Sequence, residues 1–429
     1  MPASQRKRLG AWYTPPALVD AVVGALDLAG VVASCDSRPV RVLDPACGDG
    51  RFLTAVGSAL ASIGAAASLV GVDIDPGAGA TWCADALALD WDEASFDVVV
   101  GNPPFLNQLA RATSRGGSSR WGGGPYADTA AEFLALAAHV VRPGGAVGLV
   151  LPQSVLAARD AAAIRARVDS AMALRWCWWS GDEPMFDAAV DTWAGVWSAG
   201  GMAGPVARCR GASFTSVSSM PIPVPVPGAV ASAPQTVQLS LPLPSSPSGT
   251  SWSWTMADAD APAVDADAPR LGSIASFAVD FRDVYYGLVD AVTDDGDGPP
   301  LVTCGLIDPG SCAWGERPVR FAKRRWAAPR VALDRLSPAM RRWAERRLVP
   351  KILVANQTAT IEAVHDPAGE WLPGVPVLTC TTDDPGRVLD VLASPAATAW
   401  VRHHAAGSGL GANVVRLTPA LLSSIPLGA

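Results

Sequence analysis

Up to residue 199 the chain alternates between short apolar runs of strand length and longer segments of helical period. The runs are VRVLD (40–44), LVGVDI (69–74), FDVVVGN (96–102) and GGAVGLVLP (144–152), and helices are predicted after Gly50, through TAAEFLALAAHVV and over 155–170. Strands that are apolar at nearly every position and separated by helices are buried on both faces, which predicts a doubly wound parallel sheet. ALRWCWWS (173–180) and VDTWAGVWSA (190–199) are close enough in sequence to pair antiparallel, and they complete a first domain over 1–200.

From 201 to 265 the pattern dissolves into Pro, Ser and Val, as in PIPVPVPGAVASAPQ and LPLPSSPSG, with no charge between Arg210 and Asp258. This composition predicts an extended linker, with a set of short edge strands as the alternative. Strand-like KILVANQ and PVLTC and a terminal helix follow, so residues 266–429 are expected to form a second α/β domain. No internal repeat is evident.

Composition narrows the picture. At 429 residues, with 49% hydrophobic and 17% charged residues, two domains can each bury a core. The eight cysteines include no C-x-x-C pair and have no clustered histidines beside them, which disfavours zinc and disulfide frameworks, so no metal is expected. The uncharged stretch 55–72 divides into a helix and a strand and is not read as a membrane span. The basic start, MPASQRKRLG, has no apolar core behind it, so no signal peptide is read and a cytoplasmic protein is expected.

In an open α/β sheet, ligands bind beyond the carboxyl ends of the strands. The first run ends in Asp44-Pro-Ala46-Cys47-Gly48-Asp49-Gly50, where the two glycines allow close approach to the backbone. The second ends in Asp73-Ile-Asp75, about where a ribose-binding acid belongs, and Asp85 follows in ADAL. The segment has neither the G-x-G-x-x-G nor the P-loop pattern that would cradle phosphates. Acids without basic company suit a cationic, phosphate-free ribonucleoside, and S-adenosylmethionine fits. Cys47 lies inside the glycine loop and is read as packing.

The third run stops at Asn102-Pro103-Pro104-Phe105. Two prolines lock the backbone extended and remove two donors, so fixed carbonyl acceptors and the Asn102 side chain face whatever docks there. An exocyclic amine is a weak nucleophile because its lone pair is delocalised into the ring. Two acceptors, one per hydrogen, pull the nitrogen toward tetrahedral geometry and stabilise the charge that develops on it. Phe105 offers a face on which a planar base can stack.

AWYTPP, VLDPACGDGRFL, GVDIDP, ADAL, FDVVVGNPPF and MFDAAVDT, in this order, resemble the gamma-class (Taq-type) N6-adenine DNA methyltransferases, and the likeness covers the first domain nearly end to end. It implies a Rossmann-like class I S-adenosylmethionine-dependent methyltransferase domain followed by a C-terminal α/β target-recognition domain. It also implies that Thr14, Asp44, Ala46, Gly48, Gly50, Asp73 and Asp85 bind the cofactor. Asn102 to Phe105 would hold the target adenine, and Phe186 would stack on the flipped base. Phe105 stands where many members have Tyr, and Asp44 and Asp73 stand where many have Glu. FRDVYYGLV, KILVANQTATIEAV and GSGLGANVVRLTP resemble the specificity domain of the same family.

Net charge is −7, yet residues 317–351 carry twelve Lys and Arg against Asp334 and Glu345. Such a concentration in an acidic chain predicts a polyanion partner, here double-stranded DNA, with Arg320, Lys323, Arg324, Arg325, Arg341, Arg342 and Lys351 as the contacts; a solvated amphipathic helix over RRWAERR is the alternative. Arg111, Arg115, Arg120 and Trp121, in the glycine-rich segment after Phe105, read as a flexible cover over the base site. His403 and His404 are placed on a surface helix without a role. Together these point to a bacterial enzyme that flips and methylates adenine, with any restriction endonuclease on a separate chain. RNA adenine, cytosine N4, a protein glutamine, or a non-catalytic DNA-binding role are the alternatives.

Overall fold

A computed structural model describes residues 13–78, 80–105, 119–125, 127–180, 191–220, 251–256, 267–409 and 414–428. The chain divides into two compact units, whose described residues are 13–256 and 267–428.

The first unit is built on a nine-stranded sheet: β1 (Val40–Asp44), β2 (Ala67–Asp73), β3 (Trp82–Cys83), β4 (Phe96–Gly101), β5 (Val141–Pro152), β6 (Met172–Trp179), β7 (Thr192–Ala199), β8 (Val206–Arg210) and β9 (Thr215–Met220). Their order is β3-β2-β1-β4-β5-β7-β6-β8-β9. The first five strands in that order are parallel, and β7 is antiparallel to both β5 and β6, as the short connection from β6 predicts.

Helices cover both faces: α1 (Pro16–Gly24), α2 (Arg51–Ser62), α3 (Thr129–Val140) and α4 (Ala162–Ala171). Side-chain alternation decides which face each strand residue serves. Val98, Val100 and Val150 join the core under α1 and α2, whereas Val99, Leu149 and Leu151 join the one under α3 and α4. Strands buried on both sides can be apolar at every position, which is why the runs are unbroken.

The sheet does not end at Ala199: within the stretch read as an extended linker or short edge strands, residues 206–220 form two edge strands, and residues 221–250 and 257–266 lie outside the described residues. Strand β8 pairs parallel with β6, β9 pairs antiparallel with β8, and Val206 is fully buried. Residues 251–256 also belong here. Trp252 packs its ring 5.8 Å from Trp197 and 6.2 Å from Trp193, and its backbone N–H donates to the Leu156 carbonyl at 2.8 Å. Edge strands bury little, so their polar composition concealed them.

One ion cluster sits at the amino end of the sheet. Asp97 on β4 is buried and accepts both guanidinium nitrogens of Arg38 at 2.6 Å, the Arg41 backbone N–H at 2.7 Å, and the Arg142 side chain. Burial alone would raise this carboxyl, but the hydrogen bonds from Arg38 and Arg142 hold it well below the usual carboxylate range.

The second unit holds an antiparallel sheet of β10 (Ala275–Val279), β13 (Lys351–Val354), β14 (Ala363–Asp366) and β15 (Leu378–Thr382) in the order β10-β15-β13-β14. The helices α6 (Pro385–Ala393) and α7 (Pro395–Ala405) pack on one face. The other carries Leu353 and Val364 against Val302, Leu306 and Val319. A short hairpin of β11 (Val319–Phe321) and β12 (Arg324–Trp326), and helix α5 (Pro338–Arg347), carry most of the basic segment.

Asp97→Ala removes a buried acceptor from the Arg41 N–H and from the half-buried Arg142 guanidinium, and is expected to cost about 2 kcal/mol in urea unfolding at pH 7. Because the folded pKa is depressed, the wild-type contribution is present above the ordinary value of 3.8 and is lost as pH falls below it, so the difference between the two proteins should shrink in acid.

Candidate functional site

The strand order reverses between β1 and β4, with β2 and β3 lying to one side and β5 to the other. Connections leaving β1 and β4 therefore diverge, and a crevice opens beyond their carboxyl ends. Every described residue named for cofactor or base lies at such an end or in a segment packed beside it.

Strand β1 delivers Asp44 into this crevice almost fully buried, 1% exposed. Its Oδ1 accepts the Ala46 N–H at 3.1 Å, and among the described residues no basic side chain pairs with it. Burial, assisted by Asp73 and Asp49, pushes the carboxyl up to about 8.

Gly48 and Gly50 turn the following loop with φ of 52° and 76°, conformations open to glycine, and α2 starts at the next residue. The loop is laced to β2: the Gly48 N–H donates to Asp73 Oδ2 at 2.8 Å and the Cys47 N–H to the Val72 carbonyl at 2.9 Å. Asp73 Oδ1 accepts from the Asp75 N–H at 2.8 Å, and the exposed Asp85 accepts from the Leu87 N–H at 3.0 Å.

The end of β4 is pressed against the acid. A Cβ at Gly101, where φ is 154°, would lie 2.6 Å from Asp44 Oδ1, so only glycine lets the backbone pass. Asn102 follows half-buried, then Pro103 buried, with Pro104 and Phe105 half-buried. Phe105 packs against the cores on both faces of the sheet, which fixes its ring.

Thr14 is buried, and its carbonyl accepts from Arg51 at the start of α2. The Arg51 guanidinium also lies 5.1 Å from the Tyr13 ring centroid, and a Cβ at Gly48 would touch that ring at 4.0 Å. Tyr13 and Arg51 thus join the glycine loop to the N-terminal segment. Spacing along the chain gave no signal for either. Ile74, which follows Asp73, is a further residue that the pattern missed: an apolar side chain 55% exposed to water.

Several expectations are corrected. Arg120 and Trp121 are built into the fold: Trp121 donates to the Leu87 carbonyl at 3.1 Å and Arg120 to the Leu89 carbonyl at 2.9 Å, beside Asp85. Lys351 is buried, 4% exposed, and bonded to Asp366 at 2.6 Å, so it presents no charge to a partner. His403 is buried and His404 stacks on Trp400 at 4.0 Å, so helix α7 is not a surface helix there. Phe186, Arg111 and Arg115 lie outside the described residues. Arg320, Lys323, Arg324, Arg325, Arg341 and Arg342 are exposed.

Cys47 is buried with its thiol pushed up to about 12, chiefly by burial, and a Cβ at Gly71 would meet its sulfur at 2.9 Å. It fills space and is not poised as a nucleophile.

No family model matches the chain. It shares 29% identity over 181 residues, 38% of its length, with a type II methyltransferase of Thermus thermophilus, and spans 39% of that relative. It superposes on the solved structure of the type IIL restriction-modification enzyme MmeI in complex with DNA with a TM-score of 0.57 and 13% identity, covering 99% of this chain and 69% of that one. The fold shared with that enzyme is a Rossmann-like α/β architecture.

The raised Asp44 carboxyl makes a pH prediction. A group whose folded pKa is raised contributes stability below its ordinary value of 3.8 and forfeits it as pH climbs through about 8. Asp44→Asn should therefore melt at a higher temperature than wild type at pH 8.5, with the gap closing toward pH 5, in ligand-free thermal unfolding.

Proposed function

We propose that the chain is an S-adenosylmethionine-dependent DNA methyltransferase of the restriction-modification type, acting on the exocyclic amine of an adenine turned out of the duplex. The observation that carries this reading is Asp44, a buried carboxylate with no basic partner among the described residues, backed against the strand end that bears Asn102. A carboxyl in that position favours a cationic ligand, because a bound ammonium offsets the cost of ionising it. The glycine loop gives such a ligand room at the backbone, and no phosphate cradle competes.

When bound, S-adenosylmethionine supplies an electrophilic sulfonium methyl. In this reading Asp44 and the loop through Ala46, Gly48 and Gly50 hold its methionine part. Asp73 takes the ribose hydroxyls and Asp85 the adenine edge, and Thr14 closes the N-terminal side. Asn102 and the carbonyls fixed by Pro103 and Pro104 accept the two amine hydrogens of the target base and orient its lone pair. Phe105 and Phe186 stack on the ring.

Flipping the base costs a few kcal/mol, which phosphate contacts from the second unit would offset. Support for DNA as the substrate comes from the exposed basic cluster and from the names of the relatives, a type II methyltransferase and a restriction-modification enzyme solved with DNA. A separate restriction endonuclease chain is the partner that this reading implies.

Tritiated-methyl transfer to duplex DNA, RNA and protein in parallel tests the substrate, and transfer to DNA adenine is expected. Asn102→Ala should lower that rate by about 10²- to 10³-fold or more while calorimetry still detects cofactor binding. Loss of cofactor binding in the variant would contradict the role assigned to Asn102, and a wild type that binds no cofactor would overturn the enzymatic reading.

A further inference from the structure

The twelve basic residues of 317–351 separate into two groups once their partners are known. Arg317 pairs with Asp308 at 2.6 Å, Arg347 with Asp280 at 2.6 Å and Lys351 with Asp366 at 2.6 Å, while Arg330 lies 4.5 Å over the Trp314 ring. Their charge is spent on the fold. The side chains of Arg320, Lys323, Arg324 and Arg325 make no hydrogen bond or ion pair with any described residue, and all four are exposed on one hairpin.

That hairpin is built against local preference in two ways. Its two-residue turn, Ala322-Lys323, has φ of 50° and 64°, a pair of left-handed conformations that normally selects Asn-Gly. Arg320 and Arg325 stand directly opposite each other in the register, so two like charges share one face with Cβ atoms about 5 Å apart. The other face explains why the ribbon persists: Val319 and Phe321 are buried in the second unit's cores and Trp326 packs beside them. Anchored through that face, the ribbon turns Arg320 and Arg325 to solvent, beside an open cavity of about 650 Å³ lined by Tyr285, Phe321, Arg320 and Lys323. Strain and repulsion held by a rigid base, with no internal compensation, are a mark of a functional element.

We infer that the β11–β12 hairpin is a base-reading ribbon that enters the major groove of duplex DNA, with Arg320 and Arg325 reading guanines and Lys323 and Arg324 holding phosphates at its tip. This rests on the DNA reading above and deepens it. A two-stranded ribbon fits a groove about 12 Å wide, and arginine reads guanine through two parallel bonds to O6 and N7. Base pairs rise about 3.4 Å along the axis, so two guanidiniums on paired positions reach neighbouring steps. Helix α5, whose exposed Arg342 and Arg346 also lack partners among the described residues, supplies charge without a paired geometry and is assigned to the backbone.

The test uses the full chain in a methylation-free host, with long-read sequencing to define the modified motif. Fluorescence anisotropy then compares a duplex carrying that motif with a scrambled one. Arg320→Lys and Arg325→Lys keep the charge and lose the two-bond geometry. Each is expected to relax the motif at a guanine and to reduce discrimination between the two duplexes by about tenfold or more, with little change on the scrambled duplex. Arg342→Gln and Arg346→Gln should weaken both duplexes alike. Circular dichroism and thermal unfolding of each variant, compared with wild type, check that both units are folded. A wild type that methylates DNA, with lysine variants that keep both motif and discrimination, overturns the hairpin's role alone. A wild type that binds no duplex, or that prefers single-stranded RNA, overturns the hairpin and the DNA reading together.

Discussion

A carboxyl group buried with no basic partner among the described residues is the constraint around which the first unit is arranged. Asp44 sits where the sheet reverses direction, walled by its own glycine loop and by the Gly101 backbone. Lacing the loop to Asp73 fixes the loop's shape, and pressing β4 against the acid fixes the point from which Asn102 departs. The setting of Asp44 and the strand end that bears Asn102 are thus two ends of a single packing problem. A side chain added at 101 would disturb both.

Much of this was legible in the amino-acid order. Asp44, Asp73 and Gly101-Asn102 could be placed because each follows an apolar run whose end is marked by glycine, acid or proline, and a strand end in a doubly wound sheet has one spatial meaning. The pairing of β6 with β7 was legible for a similar reason, since a short connection leaves few alternatives. Strands β8 and β9 were not. They hang on the margin of the sheet through hydrogen bonds made by backbone, which any composition can supply.

Charge was readable as a total and unreadable as a distribution of partners. Lys351 belongs to the basic run by position, yet its ammonium is buried against Asp366, fifteen residues downstream across a strand pair. Arg120 and Trp121 stand among glycines, a context that suggests looseness, and are nonetheless bonded to carbonyls beside Asp85. In both cases the deciding contact is long-range. By contrast, the hairpin's arginines have no acidic partner among the described residues, because β11 and β12 face each other locally and the ribbon itself contains no acid.

The return of Trp252 to the indoles of Trp193 and Trp197 changes where the modular seam of this protein lies. Cutting the chain where its composition first turns proline-rich would strip the cap from that aromatic cluster and leave greasy surface in water. A cut that separates the two units has to keep Met256 with the first, so the seam falls after the uncharged stretch and not before it.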